Sequence, residues 1–220
     1  MEVKAADLSK ALRRHVVPLL VEAGFDDMTG RRFWHRRDGR IDHVEISSLS
    51  TYRALTAQAS TASFVVRMAI SLEHYGFEND PFHKDHIAMG PSGPRPNENQ
   101  MPIRGVVCPK DAPPLRLGRW GWECETLWRV TSVAEADQAA VDLREQLTSY
   151  VLEWLETEWD LQEILTLLYS QDNRLFIAKS ENGSHLQLDA ELPGSAIRNA
   201  HIAMAENAKK KPHRGRKATQ

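Results

Sequence analysis

Residues 119–159, RWGWECETLWRVTSVAEADQAAVDLREQLTSYVLEWLETEW, decide the fold class, because a strand pattern passes straight into the longest helix pattern in the chain. Trp120, Trp122, Cys124, Thr126, Trp128 and Val130 fall on one face of an extended segment, with Glu123, Glu125 and Arg129 on the other. That period of two marks a half-buried strand. Ser132 then offers a hydroxyl to the first turn of a helix, and Glu135, three residues on, completes a capping box. Beyond the cap the apolar positions step by four and three through Ala136, Ala140, Leu143, Leu147, Tyr150 and Trp154, broadened by Val151 and Leu155. Asp142, Arg144, Glu145 and Glu153 lie off this stripe. A helix this long with one apolar face needs a sheet or other helices to cover it. The stretch is read as core packing, with no chemistry assigned to it.

Working outward to the N-terminus, Leu8, Leu12, Val16, Leu19, Leu20 and Ala23 give a helix over about 6–23, with Gly24 just past its end as a stop and Phe25 as an anchor. Pro18 sits inside the pattern, removes one amide donor and predicts a break near Val17. A hairpin follows, with strands over 32–37 and 40–49 about the turn Asp38-Gly39. Asp-Gly suits turns whose central residues take positive φ. Residues 64–72 read as a third strand, in which Phe64, Val66, Met68, Ile70 and Leu72 alternate with Val65, Arg67, Ala69 and Ser71.

Between that strand and Trp120, the segment 75–119 holds eight of the eleven prolines and is read as an irregular insertion. Toward the C-terminus, 160–169 reads as a helix through Leu161, Ile164, Leu165 and Leu168, and 174–179 fits helix or strand equally. Pro193-Gly194-Ser195 marks a turn before a short helix over 196–208. The organisation is thus an α+β domain over 1–170, an antiparallel sheet of about four strands packed against helices, then a helical C-terminal extension over 171–208 and a disordered basic tail over 209–220.

With 220 residues, 41% of them hydrophobic, the chain can bury a substantial core in one or two domains. No run approaches the roughly 18 to 20 apolar residues of a membrane span, and Glu2, Lys4, Asp7 and Lys10 break the N-terminus early, against a secretory signal. Cys108 and Cys124 are too few for a disulfide scaffold and are expected to be reduced, which points to the cytoplasm. The net charge of −2 conceals an asymmetry: Lys209, Lys210, Lys211, Arg214, Arg216 and Lys217 make the tail basic, and without them the rest of the chain stands at −8.

The run Pro18-Leu19-Leu20 to Gly24-Phe25, the strand Phe33-Trp34-His35-Arg36, the strand end Met68-Ala69-Ile70, and Arg116-Leu117-Gly118 ahead of Trp120 resemble a bacterial family catalogued as domain of unknown function 4304. The resemblance covers about residues 8–160, and the 75–119 segment is more elaborate than the family pattern. It implies an α+β domain with an antiparallel sheet backed by helices, and no established activity.

Three readings of function follow. The first is a non-enzymatic, protein-binding accessory or immunity-like factor, whose acidic body and proline-rich loop present a surface to a partner. Its expected binding residues are Arg36, Arg67, Arg116, Glu123 and Arg129, on the outward sheet face and its rim. The second is nucleic-acid association through Arg31, Arg32, Arg36, Arg37 and Arg40, interleaved with Phe33, Trp34 and His35, and through the basic tail. The third is a metal-dependent enzyme at His83, Asp85 and His86, with Glu73, His74 and Asp80 just before them. A carboxylate cluster of Glu45, Glu123 and Glu125 on the outer sheet face reads as an ordinary charged surface. No phosphate loop, nucleophile elbow or other cofactor or catalytic signature occurs.

Overall fold

The computed structural model describes residues 3–37, 39–72, 87–97, 100–101, 103–111, 126–156, 177–179, 185–188, 202–203 and 206. The N-terminal helix breaks at Pro18. Helix α1, Ala5–His15, ends at Val16, and α2, Val17–Glu22, carries the proline in its first turn, where a missing amide donor costs nothing. Gly24 closes α2 at φ +90, and Phe25 donates its amide to the Leu20 carbonyl at 2.9 Å. The Phe25 ring is buried in the core.

The strands are β1 Asp27–Thr29, β2 Arg32–Arg37, β3 Arg40–Ser48, β4 Phe64–Leu72, β5 Ala88–Gly90, β6 Gly93–Arg95, β7 Ile103–Val107, β8 Ile177–Lys179 and β9 His185–Leu188. Seven form one antiparallel sheet in the order β1-β2-β3-β4-β7-β9-β8, while β5 and β6 form a separate hairpin. The α+β class with an antiparallel sheet is as the sequence predicts, and the sheet is wider than four strands. Gly39 takes φ +75 in the β2–β3 turn, as the Asp-Gly pattern requires; Asp38 lies outside the described residues.

One face of the sheet is covered by helices. Phe33, Val44, Val66 and Met68 meet Leu8, Leu12 and Leu20 of α1 and α2 and Ala136, Ala140 and Leu143 of helix α4, Val133–Gln146, in one buried cluster. Ser132 caps α4 by accepting from the Glu135 amide at 3.2 Å. Glu135 reaches back past the cap to the Thr131 amide and hydroxyl, at 2.6 and 2.8 Å. Asp137 ties α4 to α1 through Arg14 and His15, at 2.9 and 3.1 Å.

The helix does not continue regularly. A π turn, Leu147–Val151, leads into α5, Leu152–Leu155. In an α-helix a step of four residues overshoots a full turn by about 40°, so a stripe stepping only by four would wind off the core. The wider π turn takes up that drift and keeps Leu143, Leu147, Val151 and Leu155 all buried. The expected stripe positions Tyr150 and Trp154 are in consequence only half-buried.

Three further expectations change. The strand predicted through Val130 is, over 126–130, an isolated bridge between Trp128 and Phe64 at the start of β4, and residues 120–125 lie outside the described residues. Trp128 joins the layers: its ring stacks on Phe64 at 5.2 Å and its Nε1 donates to Asp142 at 2.8 Å. The 75–119 segment is also not irregular throughout, since it contributes β5, β6 and the inner strand β7, which pairs with β4. Within 171–208, expected to be helical, β8 and β9 extend the sheet. Residues 202–203 and 206 are helical, and Ile202 packs on the core. The helix expected at 160–169 and the tail 209–220 lie outside the described residues.

Candidate functional site

The outward face expected to hold the site is the sheet face away from the helices. Its rows follow from the register: Trp34, His43 and Ala69 side by side, Arg32, Glu45 and Arg67 in the next row one way, Arg36, Ile41 and Ser71 the other way. Much of this face is not open. Trp34, Ile41, Ala69 and Met101 form a second buried cluster with Ile87 against it, beneath the segment that carries the β5–β6 hairpin. The hairpin is strapped down by polar contacts. Trp34 Nε1 donates to the Pro96 carbonyl at 2.8 Å, Arg36 donates to the Pro94 carbonyl, and the Arg95 guanidinium lies 5.4 Å from the Trp34 ring centre. Asp27, buried at the sheet edge, accepts from Arg36 at 2.9 Å and from Arg95 Nε at 2.8 Å. The Arg95 hydrogen bond, joined by that of Arg36, outweighs burial and holds the Asp27 carboxyl below its ordinary range.

Beside the strap, His43 is fully buried. Its ring stacks on Trp34 at 4.9 Å, its Nδ1 meets the Phe33 carbonyl at 3.0 Å, and its Nε2 stands 3.6 Å from the Glu45 carboxylate. Glu45 also accepts from Ser47 at 2.7 Å and pairs with Arg32 at 3.2 Å. Burial pushes the Glu45 carboxyl up, but the His43 imidazole, the Ser47 hydroxyl and the Arg32 charge outweigh it and bring it to about 2. A carboxylate held that low is a fixed negative charge and a poor proton acceptor near neutral pH.

The hairpin end of the helix-covered face carries a second polar cluster. Asp42, fully buried, pairs with Arg40 at 2.5 Å and Arg37 at 3.2 Å, with His35 at 4.0 Å. Both arginines also donate to the Leu155 carbonyl at the end of α5, and Arg37 pairs with Glu156 at 2.6 Å. Two guanidiniums thus satisfy the negative end of the helix. Burial raises the Asp42 carboxyl against the pull of these arginines, and burial lowers the His35 imidazole.

The third region is helix α3, Thr51–Thr56, between β3 and β4. Ser50 caps its start, accepting from the Arg53 amide at 3.3 Å. Arg129 closes its end, donating from Nη1 to the carbonyls of Ala57 at 2.7 Å and Gln58 at 3.4 Å. Gln58 turns the chain there with φ 50. Ala54 is buried beneath the helix, whereas Tyr52 and Leu55, three residues apart, are 78% and 74% exposed. Residues at that spacing share one side of a helix.

The expected binding residues therefore separate. Arg36 and Arg67 share the outward sheet face, Arg36 in the strap and Arg67 in the row of Glu45. Arg129 belongs to α3. Arg116, Glu123 and Glu125 lie outside the described residues, as do Glu73, His74, Asp80, His83, Asp85, His86 and Cys124; Cys108 is buried. Among the described residues no group of three or more His, Cys, Asp or Glu side chains is placed to hold a metal ion, and no helix is long and apolar enough to cross a membrane. Sequence reading missed Asp27 and Arg95, which meet only because β6 folds back over the edge, and also His43 and Asp42, which sit on a strand read only as the second arm of a hairpin. For Tyr52 and Leu55 the sequence shows only a Ser cap and two large apolar residues three apart, a spacing that does not reveal their exposure. No family model matches the chain, and neither a curated protein nor a solved structure matches it.

Proposed function

We propose that this protein is a non-enzymatic, cytoplasmic accessory or immunity-like factor that works by binding a protein partner, with α3 as the contact. The observation that carries this reading is the exposure of Tyr52 and Leu55 on a helix fastened at both ends, by Ser50 and by Arg129. Large side chains on a backbone already held in place lose little freedom on docking, and tyrosine and arginine are enriched at interface centres. The sheet face supports the same reading, since its carboxylates Asp27 and Glu45 are each committed to arginines of this chain. Kinship with the domain of unknown function 4304 family is part of the proposal and supplies a fold without an activity.

Nucleic-acid binding draws less support from the hairpin, because Arg31, Arg32, Arg36, Arg37 and Arg40 all engage acceptors within the fold. That reading rests on residues 209–220, and the metal-enzyme reading on His83, Asp85 and His86, all outside the described residues. The test is affinity capture from lysate of the native host at high salt, with and without nuclease treatment, with the full chain and its Tyr52→Ala/Leu55→Ala variant as baits. One protein retained by the first and lost by the second, with equal unfolding midpoints, is the expected result. Equal capture by both baits would remove α3 from the proposal, and recovery that vanishes on nuclease treatment would shift it to nucleic acid.

A further inference from the structure

We infer that the β5–β6 hairpin is a latched flap: Asp27 holds residues 88–96 closed over Trp34, and the flap opens as a unit while the rest of the domain stays folded. The hairpin joins no strand of the main sheet and pairs only with itself. A two-stranded hairpin has little stability of its own in water, so its position depends on what fastens it. Apolar burial does not fasten it. None of residues 88–95 is buried and Met89 is 71% exposed, while the apolar contact beneath comes from Ile87, just before β5. Among the described residues the fastenings are polar and converge on Asp27 and Trp34. Arg95 reaches down from β6 to Asp27 at 2.8 Å, and Trp34 Nε1 donates to the Pro96 carbonyl at 2.8 Å. Arg36 on β2 meets the same carboxylate at 2.9 Å and also donates to the Pro94 carbonyl.

The closed position is tightly fitted and incompletely satisfied. A Cβ at Gly90 would strike the Arg95 side chain and come within 2.8 Å of Asp27 Oδ2, so glycine is what lets β5 lie against the latch. Arg36 Nε, which faces Gly93, is buried without a hydrogen-bond partner. Water satisfies that donor once the hairpin lifts, so closure carries a desolvation cost that the Asp27 contacts offset. The four buried residues beneath the flap, Trp34, Ile41, Ala69 and Met101, form a cluster separate from the helix-covered core. Lifting the flap uncovers this cluster beside Arg36 and leaves the main packing in place.

The indole N–H of Trp34 reports the opening directly because it is bonded to the flap itself, and that of Trp128, bonded to Asp142 on α4, reports the core. Exchange of both with deuterium is followed by NMR in the full chain at one near-neutral pH, with the signals assigned from Trp34→Phe and Trp128→Phe. Asp27→Asn and, from the hairpin side, Arg95→Gln should each speed Trp34 exchange roughly tenfold and change Trp128 exchange by less than about twofold. Low urea should leave Trp34 exchange in the native chain unchanged, since lifting a hairpin exposes little surface, and should accelerate Trp128. Trp34 exchange unmoved by both substitutions would remove Asp27 as the latch and overturn the inference. So would Trp34 exchange that rises together with Trp128 or follows urea with the slope of Trp128, because the hairpin would then open only with the whole domain.

Discussion

The two faces of the sheet are held by different physics. On the helix-covered face, Phe33, Val44, Val66 and Met68 interlock with α1, α2 and α4 through side-chain volume. On the other face a small cluster around Trp34 is covered by a hairpin that hydrogen bonds and the Asp27–Arg36–Arg95 group hold in place. The first is centred on side chains that do not titrate, its buried Asp42 and its His35 being confined to the hairpin end; the second is built from groups whose ionisation depends on the fold. A protein can thus be assembled by packing on one side and by charge on the other, and the two should fail under different conditions.

The largest expected effect breaks the packed face. Phe64→Ala removes a fully buried ring that stacks on Trp128. It should cost about 3–5 kcal/mol, with the same loss by urea unfolding at neutral pH and at about pH 5. The charged face should respond to acid instead. Glu45 has its ionisation lowered from 4.5 to about 2, so its contribution is fully present above the ordinary carboxylate range and is lost as pH falls from 4.5 toward 2. That contribution reaches about 3 kcal/mol at most. Urea titrations at stepped pH should show the decline in the native chain and a flatter profile in Glu45→Gln. Asp27, also lowered, adds to the same slope, while Asp42, raised by burial, opposes it because the folded state binds its proton more readily. The smallest effect sharpens the contrast locally. Asp27→Asn should speed amide exchange in residues 88–95 by roughly tenfold and leave α4 unchanged. Equal acceleration in α4 would show that the strap is part of the main cooperative unit.

What the sequence made legible is what local chemistry determines. Asp38-Gly39 announced the β2–β3 hairpin, Pro18 the break between α1 and α2, and Ser132 with Glu135 the start of α4. β7 escaped because it is only five residues, Ile103–Val107, within the short run between Pro102 and Pro109, and its strand character comes from lying between β4 and β9. The π turn escaped because no local residue requires it; the demand comes from the core, which needs Leu147, Val151 and Leu155 on one line. Of the expected site, Arg36, Arg67 and Arg129 are placed, but no period-two or helical pattern could have told that Arg36 is consumed by Asp27 while Arg129 closes α3. The exposure of Tyr52 and Leu55 could be read from neither side chain alone, since it depends on Ala54 being the residue that α3 turns inward.

The clasp between the hairpin arginines and the Leu155 carbonyl also sets a timetable. Arg37 and Arg40 lie 118 and 115 residues from that carbonyl along the chain, and β7 pairs with a strand that begins at His185. Contacts this remote require loop closure before they return any stabilisation, which slows folding. Asp42, by contrast, lies five residues from Arg37 and two from Arg40, so the same two arginines have one partner that needs almost no loop closure and another that needs a very long one.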